Sequence, residues 1–158
     1  MRDYGVEGQI GLEPDFRDYV RKLVCIFVEL KRVLKDDGSF YLNLGDTYSG
    51  SLRGYGAKPS KTGFQKPQGI DPRYPNAPAL TANVEGIPPK CMMGIPWRVA
   101  LALIRNGWIL RNDIIWHKPN ALPSSVKDRL NNTYEHVFHF VKSKKYYYNL
   151  DAIRVPHK

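Results

Sequence analysis

Between Gly107 and Asn120 the chain reads Gly-Trp-Ile-Leu-Arg-Asn-Asp-Ile-Ile-Trp-His-Lys-Pro-Asn, an alternating apolar strand that runs directly into a basic, proline-broken turn. Ahead of it, Pro96 fits the first turn of a helix whose body, Trp97, Val99 to Leu103 and Ile104, is almost wholly apolar and which Asn106-Gly107 can end. Such a helix is expected to be well buried. A second helix is written between Asp15 and Lys35, where Val20, Leu23, Val24, Phe27, Leu30 and Leu34 recur at three and four, the spacing of one buried face. Asp15 can cap its first turn, Asp18 adds favourable charge there, and Asp37-Gly38 supplies a stop. Phe40 to Leu44, short and apolar, then fits a buried parallel strand entered by a helix crossover. Trp108 to Trp116 and Tyr134 to Lys142 read as strands, with a short final strand at Tyr146 to Leu150. The order helix, strand, long loop, helix, strand, loop, strand predicts an α/β sheet whose last long strands run antiparallel.

The interval from Gly45 to Pro96 holds 8 of the 13 glycines and 8 of the 12 prolines and no sustained apolar period. A compact domain rarely carries a loop of that length unless it is functional or disordered. Between Ser51 and Lys90, Arg53, Lys58, Lys61, Lys66, Arg73 and Lys90 face only Asp71 and Glu85, interleaved with Tyr55, Phe64 and Tyr74, the composition of a mobile basic loop. Over all 158 residues, 24 Lys and Arg oppose 15 Asp and Glu, a net charge of +9 that favours a polyanionic partner, nucleic acid above all. Length and a 42% hydrophobic content predict a single domain, residues 1–158, with a real core. No apolar run approaches the ~20 residues that cross a bilayer, so no membrane partner is expected. Neither a signal pattern nor paired cysteine spacing is present, which predicts a cytoplasmic protein with Cys25 and Cys91 reduced. The histidines and cysteines have no metal-ligand spacing, and His136 and His139 are expected on a strand surface.

Three segments together carry a family resemblance: Gly107 to Asn120; Phe40-Tyr-Leu-Asn-Leu-Gly-Asp-Thr-Tyr48; and Ser125-Val-Lys-Asp-Arg129 running on to Tyr134-Glu-His-Val-Phe-His-Phe-Val-Lys142 and Tyr146-Tyr-Tyr-Asn149. They resemble the DNA amino-methyltransferases, which methylate adenine N6 or cytosine N4 with S-adenosylmethionine. The resemblance is strongest over residues 1–48 and 94–156 and is not visible over 50–93. It implies a partial Rossmann-like methyltransferase sheet with an antiparallel strand pair at one edge, S-adenosylmethionine as cofactor and double-stranded DNA as partner. Two family motifs are absent. The only Pro-Pro, Pro88-Pro89, is followed by Lys90 rather than Tyr, and Arg53-Gly54-Tyr55-Gly56, the nearest approach to the Gly-rich cofactor loop, follows no apolar run. In the family subgroup concerned, the catalytic Pro-Pro-Tyr lies shortly before a segment similar to Arg2 to Glu13, and the cofactor loop well after the equivalent of Ile153 to Pro156. The expectation is therefore the central part of such an enzyme, truncated at both ends, holding no catalytic residue and inactive alone. The alternatives are a non-catalytic nucleic-acid-binding module and one half of a split methyltransferase that a complementing half restores. Self-association through a sheet edge left open by missing strands is also expected.

Individual residues carry two readings each. Gly45, Asp46, Thr47 and Tyr48 stand at the carboxyl end of the Phe40 strand, where open α/β sheets bind ligands, and could lie near cofactor or target base. Equally, Asp46 could serve a turn or cap a helix. In the second polar loop Lys118 and Arg129 could meet phosphates and Asn120 or Ser125 base edges, as the resemblance implies, or all could belong to a solvated turn. Tyr146, Tyr147 and Tyr148 could stack unpaired bases or pack an edge strand. Asp15 with Glu29-Leu-Lys31 superficially matches a magnesium nuclease, but a Glu-x-Lys in mid-helix has the wrong geometry for one.

Overall fold

The computed structural model describes residues 4–49 and 86–156. Arg53, Lys58, Lys61, Lys66 and Arg73 lie outside the described residues. In chain order the elements are α1 (Phe16–Val33), β1 (Ser39–Asn43), α2 (Ile95–Arg105), β2 (Ile109–His117), β3 (Tyr134–Val141) and a 3-10 turn at Asp151–Ile153. The periodicities place α1, α2 and the three strands within about two residues of their observed ends, because each has the apolar spacing of its own geometry. Asp15 accepts the Arg17 N–H at 2.7 Å, as the capping expectation required.

The chain divides into two compact units. One comprises residues 1–22 and 46–95, the other residues 23–45 and 96–158. In the first, a short antiparallel ladder joins residues 47–49 to 90–93: Met93 N–H donates to Thr47 O at 2.8 Å, Ser49 N–H to Cys91 O at 2.8 Å and Lys90 N–H to Ser49 O at 2.8 Å. Ser49 is buried, its Oγ donating to Ile87 O at 3.2 Å, which ties residue 49 to residue 87 beside the ladder.

The second unit is built on a three-stranded sheet of order β1-β3-β2, with both pairings antiparallel. The expected antiparallel pairing of the last two long strands is present. The expectation for Phe40 to Leu44 is corrected: its described neighbour is antiparallel, Phe40 opposite Phe140 and Leu42 opposite Phe138. β1 and β2 run in the same direction, as a helix crossover requires, but β3 returns between them and separates them by one place. Chain adjacency alone could not reveal that insertion.

One sheet face carries the core. Phe40, Phe138, Phe140 and Trp108 pack together, with Phe27 of α1 against Phe40 at 4.9 Å and Trp97 of α2 edge-on to Phe138 at 4.9 Å. Val99, Ala100, Leu103, Phe138, Phe140 and Val141 are fully buried. The expectation that α2 is well buried holds for one stripe only: Trp97, Leu101 and Ile104 are exposed among the described residues, while Val99, Ala100 and Leu103 are buried. Gly107 ends α2 with φ +81°, and Lys31 Nζ donates to its carbonyl at 2.6 Å, placing a cation at the negative end of the helix.

The opposite face holds two further corrections. His139, expected on the surface, is 2% exposed, because Tyr41 stacks on it at 4.6 Å and Tyr146 and Tyr148 fold back over it. Residues 146–150 form no strand; they cross the sheet as an irregular segment tied by Tyr147 N–H to Asp37 O at 2.9 Å. No helix is long and apolar enough to cross a membrane among the described residues.

Candidate nucleic-acid interface

The carboxyl ends of β1 and β2 lie at the same end of the sheet, on either side of the start of β3. There the register sets Asn43 opposite Val137 and Trp116 opposite Glu135, all four on the face away from the helices. They line an open depression of about 400 Å³. Asn43 Nδ2 donates to Glu135 Oε2 at 3.2 Å and to His136 O at 3.0 Å. Lys118 Nζ forms an ion pair with Glu135 Oε1. This lysine hydrogen bond, with that of Asn43, holds the Glu135 carboxyl below the usual carboxylate range against a smaller opposing effect of burial. Trp116 is 63% exposed and its ring has no aromatic partner among the described residues.

The polar loop that follows β2 is closed at its base by Lys118 N–H donating to Thr133 O at 2.7 Å, and tied across by Asn131 Nδ2 to Leu122 O at 2.9 Å. Asn120, Ser125 and Arg129 are exposed along it. Lys118 is not: its ammonium is committed to Glu135 at the loop's base, so of the expected phosphate contacts Arg129 is the one the loop presents outward.

Of the four candidates after β1, Gly45 closes the sheet unit's segment 23–45, and Asp46, Thr47 and Tyr48 in the other unit have a structural assignment. Asp46 accepts the N–H of Thr47 at 2.8 Å and of Ile95 at 3.1 Å through Oδ1, and of Gly94 at 2.9 Å through Oδ2. The carboxylate thus caps the start of α2. Tyr48 bridges to Met92 in the ladder and Thr47 gives it a carbonyl. Among the described residues the candidates after β1 do not fit S-adenosylmethionine: Asp46 has both oxygens on backbone N–H groups, and no Gly-rich turn follows the β1 strand.

Sequence reasoning carried Asn43 and Trp116 only inside the resembling segments, and missed Glu135 and the meeting of all three. The aromatic residue two places before a lysine was legible; the Asn43–Glu135 bond depends on β1 lying beside β3, a non-local fact.

Residues 2–158 match the family described as DNA methylase. The chain belongs to that family. The match runs through 50–93, which corrects the reading that resemblance is lacking there. Among relatives of this DNA methylase chain, the type II methyltransferase M.XycI of Xanthomonas campestris pv. cyanopsidis is 49% identical over 99% of this chain and 49% of its own length. M.Cfr9I of Citrobacter freundii is 47% identical over 98% of this chain and 48% of its own. M.SmaI of Serratia marcescens is 44% identical over 99% and 50%. The chain spans about half the length of these curated relatives, each named a type II methyltransferase.

Proposed function

We propose that this DNA methylase chain is the DNA-engaging middle of an enzyme that methylates the exocyclic amine of adenine (N6) or cytosine (N4) in double-stranded DNA. The observation that carries the reading is the family match over residues 2–158, to which relatives at 44–49% identity named type II methyltransferases add the reaction class. The net charge of +9 and the outward-facing loop with Asn120, Ser125 and Arg129 suit a polyanionic duplex. With Pro-Pro-Tyr and the Gly-rich loop missing from its sequence, the chain holds no catalytic residue and transfers no methyl group alone; a polypeptide supplying both motifs restores transfer.

S-adenosylmethionine belongs to that complementing part in this reading, since the residues here do not fit it. The outer edge of β1, unpaired among the described residues, and the exposed Tyr41, Ile114 and Trp116 give the sheet a surface through which a partner half, or a second copy, adds strands. Sequencing the native gene on both sides of the reading frame tests the proposal. In-frame codons for Pro-Pro-Tyr before Met1 and for a Gly-rich loop beyond Lys158 are expected, and unrelated sequence on both sides leaves only the binding module or the split enzyme.

A further inference from the structure

On the sheet face away from the helices, His139 of the central strand is 2% exposed, and part of its cover is the segment 142–150, which forms neither helix nor strand. Tyr146 meets the imidazole edge-on at 5.7 Å and Tyr148 stacks on it at 6.3 Å, while Tyr41 of β1 stacks on it at 4.6 Å. Tyr146 and Tyr148 also touch each other edge-on at 6.3 Å, so the two rings close over the histidine as a pair.

The segment is pinned at two sides. At its start, Lys142 Nζ donates to Leu34 O at 2.9 Å and pairs with Asp36 at 2.9 Å, and Ser143 Oγ donates to Asp36 O at 2.8 Å. Farther along, Tyr147 N–H donates to Asp37 O at 2.9 Å, so these bonds all lead to the turn after α1. The second side is β2, where Arg111 Nε donates to the Tyr146 hydroxyl at 3.0 Å and the guanidinium lies over that ring at 5.7 Å. The irregularity between Leu110 and Asn112 leaves Arg111 without a register partner, and such a bulge re-aims the side chain it carries, here toward the segment.

What the buried imidazole lacks is an anion. From β1 it is faced by the Ser39 hydroxyl, 3.1 Å from Nε2, and by the Tyr41 ring; from β2 by the positive Arg111; from the segment by Tyr146 and Tyr148. Val137 and Val141, on the same side of its own strand, are apolar. No carboxylate packs on it among the described residues. A proton on this ring puts a second positive charge beside Arg111 under a closed cover, where a charge without an opposite partner is costly. Water reaches the ring if the part of the cover held by neither sheet nor helix lifts. We propose that the segment 142–150 is a proton-sensitive latch: when His139 takes up a proton, Tyr146 and Tyr148 leave the sheet and uncover the Tyr41 face, while the three strands stay paired.

The test is amide hydrogen exchange of the 158-residue chain from pH 7 to pH 5, each rate divided by the intrinsic rate at that pH, with the His139 titration followed by NMR. Burial and Arg111 hold the closed-state imidazole below 6.5, so opening is favoured as pH falls. The opened fraction read at the Tyr147 amide rises by up to about tenfold per pH unit below 6.5 and levels off once the closed form is itself protonated. Amides of β1 and β3 keep their protection over the same range. His139→Gln, which carries no charge and keeps a donor for Ser39, shows flat protection at Tyr147. Should that variant not fold, the parent decides: the pH dependence of Tyr147 exchange must track the His139 titration. Protection at Tyr147 that persists to pH 5, or that is lost equally in His139→Gln, overturns the latch. Loss of protection in the segment and the strands together also overturns it, because the event is then unfolding of the whole sheet.

Discussion

Asp46 accepts three backbone N–H groups, and charge-assisted bonds at a helix start are among the stronger local interactions. Asp46→Ala is expected to cost about 2 kcal/mol in urea unfolding, and Asp46→Asn, which keeps one acceptor oxygen, roughly half of that. An unchanged midpoint in both variants would return Asp46 to the pool of ligand candidates. His139 gives a pH signature. Burial pushes its imidazole below the ordinary value of 6.5, and the positive Arg111 nearby adds to the effect. The folded state therefore binds this proton less readily than the unfolded chain, so stability is complete above about pH 6.5 and declines as pH falls below it. Thermal midpoints measured from pH 7 to 5 should fall less steeply in His139→Phe than in the parent; parallel slopes would refute the assignment. Neither role was legible locally. Asp46 was open between turn and site because its partners lie 48 and 49 residues away, and His139 was read as a surface residue because nothing beside it announces that Tyr146 and Tyr148 fold back.

At the level of elements, hydrophobic period was a reliable guide and neighbour order was not. The stripe from Val20 to Leu34 is the less exposed face of α1, and the alternation in β2 and β3 fixed both strands to within about two residues, since these patterns are the direct imprint of 3.6- and 2-residue repeats. The place of β3 between β1 and β2, which creates the Asn43–Glu135 contact, is decided by long-range pairing. As the central strand, β3 should dominate stability. Phe140→Ala, at a fully buried site, is expected to cost about 3–5 kcal/mol, while Ile115→Ala on the exposed outer strand costs under about 1 kcal/mol. Denaturation curves with comparable losses for the two would contradict the described sheet order.

For the whole molecule, family membership was written in three segments that the chain folds into β1, β2 with its loop, and β3, so resemblance and fold reinforce one another. The limits of the reading were equally physical: composition disguised the relationship over 50–93, where glycine, proline and basic residues carry no period. Among the described residues the outer side of β1 has no paired strand and Tyr41 on it is exposed, so concentration-dependent self-association is expected by light scattering, relieved by Tyr41→Lys, which places a charge on that edge. A monodisperse monomer at all concentrations would argue that no further strands are wanted. The central claim, that this chain is a working but incomplete part of a DNA methylase, is tested most directly by transfer of labelled methyl groups from S-adenosylmethionine to DNA. The chain alone should give none, and the chain mixed with a polypeptide bearing Pro-Pro-Tyr and the Gly-rich loop should give sustained incorporation at adenine or cytosine. Methylation by the 158-residue chain alone, or none from the mixture, would contradict it.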